Sequence, residues 1–173
     1  MSEQGTDYLA ELSPTVFSLS VVMQRSPATS PWQRYAWEAT GVTASHWTDG
    51  VSPAVHLVHQ EGELRHYLYS GFRLQLHLDE CESYYHNLCS PSPRMFVLAR
   101  ADEEGVPVPF LVTLSFDEAN AYQEGDEVVY AVAIPAELYR WCELFVLNQY
   151  VPEKRKKRRR TEWHQNQNGS VAS

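Results

Sequence analysis

The stretch AVHLVHQEGELRHYLYSGFRLQLHL, Ala54 to Leu78, decides the fold. Ala54–Gln60 and Glu63–Tyr69 lie on either side of Glu61-Gly62, and two Val-, Leu- and Tyr-bearing runs around a glycine turn predict a β-hairpin. A two-residue turn there sets Leu57 opposite His66 and His59 opposite Leu64, with Val55 and Leu68 on the same face. Phe72, Leu74, Leu76 and Leu78 then alternate with Arg73, Gln75 and His77, which predicts a third strand. A turn at Ser70-Gly71 would put Leu68 opposite Arg73. A three-residue loop with Gly71 left-handed instead brings Phe72, Leu74 and Leu76 beside Leu68, His66 and Leu64, and the register that gathers the leucines is the one expected.

Upstream, Val16–Met23 alternates and is rich in Val and Phe, a first strand ending at Gln24-Arg25. Trp32–Val42 satisfies two patterns. Ser30-Pro31 and Gly41 could bound a helix, but Tyr35, Trp37 and Ala39 alternate, and a strand is expected. Downstream, Asp79 with Glu82 forms a capping-box pattern and predicts a helix over Glu80–Leu88, stopped by Pro91 and Pro93. Met95–Arg100 and Val108–Ser115 are apolar strands. Ser115 with Glu118 repeats the capping box and predicts a helix over Phe116–Gln123, ended by Gly125. Glu127–Ala133 is a last strand. Pro135 suits a first helical turn, and Leu138, Trp141, Cys142, Phe145 and Gln149 recur at helical spacing until Pro152. The result is an α+β fold: a mainly antiparallel sheet of roughly seven or eight strands, two short helices and a C-terminal amphipathic helix. Residues 1–15 are expected to be a flexible leader, 16–152 one domain, and 153–173 a basic, disordered tail.

Charge divides the chain. Residues 1–152 contain seven Arg, no Lys and 20 acidic residues, a net charge of −13, whereas 153–173 carry seven basic residues and two Glu, a net charge of +5. Half of all positive charge lies in Lys154, Arg155, Lys156, Lys157, Arg158, Arg159 and Arg160. An anionic body repels phosphate backbones, so nucleic acid could be approached only through the tail. The basic run suits a nucleic-acid arm, an anionic-membrane patch or a docking arm for an acidic protein surface, and Trp163 just beyond it adds an aromatic anchor. These eight residues are the expected partner-binding set.

Other constellations carry less. His77, Cys81, His86 and Cys89 fall within thirteen positions and could approach one ion, but without a Cys-x-x-Cys or His-x-x-x-His pair a structural role is expected and no metal or other cofactor is assigned. Cys81, Tyr85 and Cys89, four apart, read as a buried helical stripe, and Cys142 as an inert core thiol. His56, His59 and His66 are expected to be partly buried imidazoles. Trp32, Tyr35 and Trp37 could stack bases, but with only Arg34 adjacent they read as core aromatics. Three cysteines suggest a reducing compartment, and with no secretory signal or bilayer-length apolar run the expected location is cytoplasmic. No Gly-x-Ser-x-Gly elbow or phosphate loop appears, so no catalytic residue is nominated.

Several strings together resemble a known bacterial family: Val22-Met23-Gln24-Arg25, Ser30-Pro31-Trp32 with Trp37, Tyr85-His86-Asn87-Leu88, Met95 to Arg100, Pro109 to Ser115 with Glu118-Ala119, Gly125-Asp126-Glu127, Trp141, Phe145-Val146 and the basic run. The chain resembles domain-of-unknown-function family 3305 from about residue 16 to 163. The resemblance implies a gene neighbourhood beside molybdenum- or tungsten-dependent formate dehydrogenases, and some members bear a molybdopterin-guanine dinucleotide biosynthesis label. The nucleotidyltransferase behind that label has a Gly-rich loop after its first strand. Here the first strand runs into Gln24-Arg25-Ser26-Pro27, without glycine. The function expected is therefore a non-enzymatic accessory or assembly factor in maturation of formate dehydrogenase, docked on a subunit of that enzyme or another acidic protein. The alternatives are a nucleic-acid-binding module using the basic arm and a molybdopterin-handling protein.

Overall fold

A computed structural model describes residues 16–44, 53–125 and 127–149. Among these residues seven strands and three α-helices form in this order: β1 (Val16–Pro27), β2 (Tyr35–Ala44), β3 (Ala54–Glu61), β4 (Leu64–Gln75), α1 (Cys81–Leu88), β5 (Arg94–Ala101), β6 (Pro107–Thr113), α2 (Phe116–Gln123), β7 (Val128–Ala133) and α3 (Ala136–Gln149). The class is α+β, and every strand pairing is antiparallel. The strands make two sheets rather than one. β2-β1-β4-β3 is the first and β6-β5-β7 the second, with β7 lying beside β2 and β6 beside β4. Trp32–Val42 resolves as the strand β2 from Tyr35 onward. Trp32 itself, expected in the core, is 91% exposed.

The hairpin forms with a different register. Glu61 pairs with Leu64, so the central turn residues are Gly62 and Glu63, and Gly62 at φ +60° takes the first central position that glycine alone fills at little cost. Val58 is then an extra residue between the pairs Leu57–Tyr67 and His59–His66. The expected Leu57–His66 and His59–Leu64 pairs are therefore absent. The third strand is not separate either. β4 runs through Ser70-Gly71 because the twelve-residue β1 lies along both halves of it, and the left-handed Gly71 (φ +90°) builds a bulge opposite Ser20 instead of a turn. A Cβ at Gly71 would come within 2.8 Å of the Pro53 backbone.

Between the sheets lies the main core. Leu19, Val21, Met23 and Leu74 from β1 and β4 pack with Met95, Val97, Val112 and Val132 of the second sheet, and Tyr84, Leu88, Leu138, Trp141 and Cys142 of α1 and α3 join the same cluster. Complete burial of each such side chain stabilises the fold by about 1.5–3 kcal/mol. Phe96 and Leu98 point to the opposite face of β5, onto Ala119 of α2. β5 is thus covered on both faces, which explains its uninterrupted apolar run.

Cys142 is inert, as its position implies: burial foremost, then the neighbouring Cys81, pushes its thiol up from 9.0 to about 12. Burial also raises the Tyr84 hydroxyl. In the unfolded chain these groups lose protons first, so the stability they contribute is complete below pH 9 and is lost as pH climbs from 9 towards 12. Melting temperatures measured at intervals between pH 8 and 11 are expected to fall steadily above 9, and Cys142→Ala is expected to flatten part of that slope.

Candidate functional site

Two parts of the molecule offer binding chemistry. The first is a cleft of about 490 Å³ bounded by α1, the Ser90–Pro93 loop, the start of β5 and the N-terminus of α2. Asn87 shapes it. This buried side chain donates to the carbonyls of Arg94 (2.7 Å) and Leu114 (2.9 Å) and accepts from the Arg94 N–H (3.1 Å), tying α1 to β5 and to the end of β6. Ser90 closes the C-terminus of α1 by donating its hydroxyl to the Asn87 carbonyl. On the other wall, Ser115 caps α2 by accepting from the Glu118 N–H at 3.0 Å. The Glu118 carboxylate does not return to Ser115 as in a full capping box. It accepts from Thr113 Oγ1, whose oxygen in turn accepts from the Ser115 N–H. Ser115 Oγ also donates to Glu80, an interaction that links α2 to the start of α1.

Phe96 and Phe116 meet edge-to-face at 5.9 Å in this cleft, and Arg94, His86, Ser83 and Asp117 stand around them. An apolar floor with a mixed-charge rim suits an inserted apolar side chain. The buried Ser115 hydroxyl is engaged with Glu80 and Glu118, and Ser83 lies 3.2 Å from it, so these hydroxyls hold helices together.

The second part is β3. It is hydrogen-bonded to β4 on one side and, among the described residues, is the outer strand of its sheet. Val55 (54% exposed), Leu57 (48%) and Val58 (54%) project from it, and Ala54–Gln60 carries no Lys, Arg, Pro, Asp or Glu. Exposed edges are normally blunted by such residues; this one presents open backbone groups and apolar side chains among the described residues. His56 and His59, expected to be partly buried, are exposed along it, and His66 alone is half-buried, donating its Nε2–H to Gln24 Oε1 at 3.1 Å. The hairpin pattern alone does not show that β3 is the exposed arm. The available signal was its lack of any guarding charge.

The sequence-derived site residues fare as follows. Lys154, Arg155, Lys156, Lys157, Arg158, Arg159, Arg160 and Trp163 lie outside the described residues. His77, Cys81, His86 and Cys89 are not brought together: Cys81 is buried, Cys89 is exposed, and His86 faces Glu82 at 3.6 Å on the outer side of α1. His77 gives its backbone N–H to the Tyr84 hydroxyl. The buried stripe of α1 runs through Cys81, Tyr84 and Leu88, because Tyr85 and Cys89 turn outward. Among the described residues no group of three or more His, Cys, Asp or Glu is placed to hold a metal ion, and no helix is long and apolar enough to cross a membrane.

Among the described residues the fold and these surfaces define a two-sheet α+β arrangement with an open β edge and a small helix-lined cleft. Residues 18–160 match the profile of the family described as "Protein of unknown function (DUF3305)", and the chain belongs to that family. No curated protein and no solved structure matches it.

Proposed function

We propose that this protein is a non-enzymatic accessory factor that works by docking on a subunit of a molybdenum- or tungsten-dependent formate dehydrogenase during maturation of that enzyme. The observation that supports docking is the β3 edge, an eight-residue strand whose outer backbone groups are unpaired among the described residues and which carries three exposed apolar side chains. Such an edge accepts an extended segment as an added strand: main-chain hydrogen bonds supply affinity, and alternate side chains supply selectivity. The basic run Lys154–Arg160 would steer the anionic body towards an acidic face of the same subunit. The choice of partner rests on the resemblance described at the outset. Capture of the purified formate dehydrogenase catalytic subunit tests the reading, with the parent chain compared against a version in which Lys154–Arg160 are all Gln. Reduced capture that grows more pronounced at low salt is expected; equal recovery of both would remove the arm from the account.

A further inference from the structure

The inner face of the first sheet changes character beyond Met23. Trp37, Arg25 and Arg65 occupy one cross-strand row there, and Tyr35 and Tyr67 lie two residues away on the same face. Arg25 and Arg65 are direct partners on antiparallel strands, with backbones roughly 5 Å apart. Like charges placed opposite one another destabilise a sheet. A third cation joins them. The Arg25 guanidinium carbon is 4.0 Å from the centre of the Tyr35 ring and that of Arg34 is 5.4 Å from the same ring. Trp37 and Tyr67 pack beside them with ring centres 5.7 Å apart. Three of the seven arginines in the acidic body therefore gather at one aromatic corner.

Nothing described neutralises them. The ion pairs among the described residues involve His59, His86 and Arg100, none of them in this group. Nε of Arg25 and Nε of Arg65 are both shielded from water and have no hydrogen-bond acceptor among the described residues. Buried donors are nearly always satisfied, and two unsatisfied guanidinium nitrogens side by side call for a shared acceptor. The Tyr67 hydroxyl accepts from the Arg65 guanidinium and is the main reason that its pKa stands above the usual arginine value, against the lowering effect of burial; the acceptor still wanting is the one at Nε.

We propose that this corner binds the phosphate group of a small phosphate monoester. The three terminal oxygens of such a group give two forked guanidiniums separate two-oxygen edges to bind, whereas a carboxylate presents a single such edge. A dianion also offsets the Arg25–Arg65 repulsion more fully than a monoanion. The surrounding −13 body repels a polyanion, which favours a small ligand over a nucleic acid. This site is independent of the β3 edge and of the docking proposal.

Titration calorimetry on the full chain at fixed ionic strength, with inorganic phosphate, phenyl phosphate and acetate, tests it. Both phosphates are expected to bind, with acetate at least about tenfold weaker. Arg25→Gln and Arg65→Gln are each expected to weaken phosphate binding by about tenfold or more, and Arg65→Lys, which keeps the charge but loses the fork, to weaken it as well. The exposed Arg73→Gln and a chain with Lys154–Arg160 changed to Gln are expected to bind like the parent. In phosphate-free buffer the two Gln variants should melt at or above the parent temperature, since a repulsion has been removed. Failure of the parent to bind either phosphate, unchanged affinity in both Gln variants, or loss of binding with the neutralised tail would overturn the proposal. Binding of acetate as strong as phosphate would overturn the phosphate assignment, and tighter binding of a short RNA than of phenyl phosphate would overturn the choice of a small ligand.

Discussion

Asn87→Ala is expected to lower the stability of this protein by roughly 2–4 kcal/mol, because one buried and two part-buried hydrogen bonds vanish and their backbone partners stay in place. Asn87 is only 8% exposed, and its side chain satisfies both the N–H and the C=O of Arg94 as well as the C=O of Leu114. Alanine leaves those groups facing each other across a gap that the strands cannot readily close. For a chain of this size each kcal/mol shifts the melting temperature by about 2–4 °C, so a fall on the order of 10 °C should appear in thermal denaturation followed by circular dichroism. A change of less than about 1 kcal/mol would mean that water reaches these groups and that the contact between α1 and the second sheet is held some other way.

The other large effect concerns partner capture. Val55→Lys combined with Leu57→Lys places guarding charges on the outer edge of β3, where both side chains already face solvent. Surface substitutions of this kind usually change stability by no more than about 0.5 kcal/mol each, so the melting temperature of the double variant should move by no more than about 4 °C. Binding of an added strand should nevertheless fall by about tenfold or more, since each lysine must be desolvated or displaced for the incoming segment to pair. Surface plasmon resonance with the immobilised formate dehydrogenase catalytic subunit reads this directly. Retained affinity in the double variant would exclude the β3 edge as the docking surface.

What could be read from the residues depended on how locally each feature is specified. α2 was legible to the residue, Phe116–Gln123, because Ser115 and Glu118 place its start and Gly125 its end within one turn of each terminus. The apolar run of β5 was legible for the same reason: it needs partners on both faces whatever they are. The hairpin register was not, because Gly62 could occupy either turn position and the bulge at Val58 depends on how β4 is held by β1. Nor could the sequence reveal that β1 pairs with β4 while β5 gathers β6 and β7, which is what divides one expected sheet into two. That choice is made by long-range packing. The Asp79–Glu82 capping signal was overridden similarly: a 3-10 turn at Leu78–Glu80 precedes α1, and Glu80 takes the cap position without a side-chain bond while its carboxylate accepts from Ser115. The Arg25–Arg65 pair joins residues forty positions apart and leaves no local trace.

The most direct measurement is amide hydrogen exchange across residues 54–61 with and without the formate dehydrogenase catalytic subunit. An added strand should slow exchange at the β3 amides that point away from β4 and leave β5 and β6 unchanged. A stable complex in which the β3 amides exchange as fast as in the free protein would contradict docking along this edge.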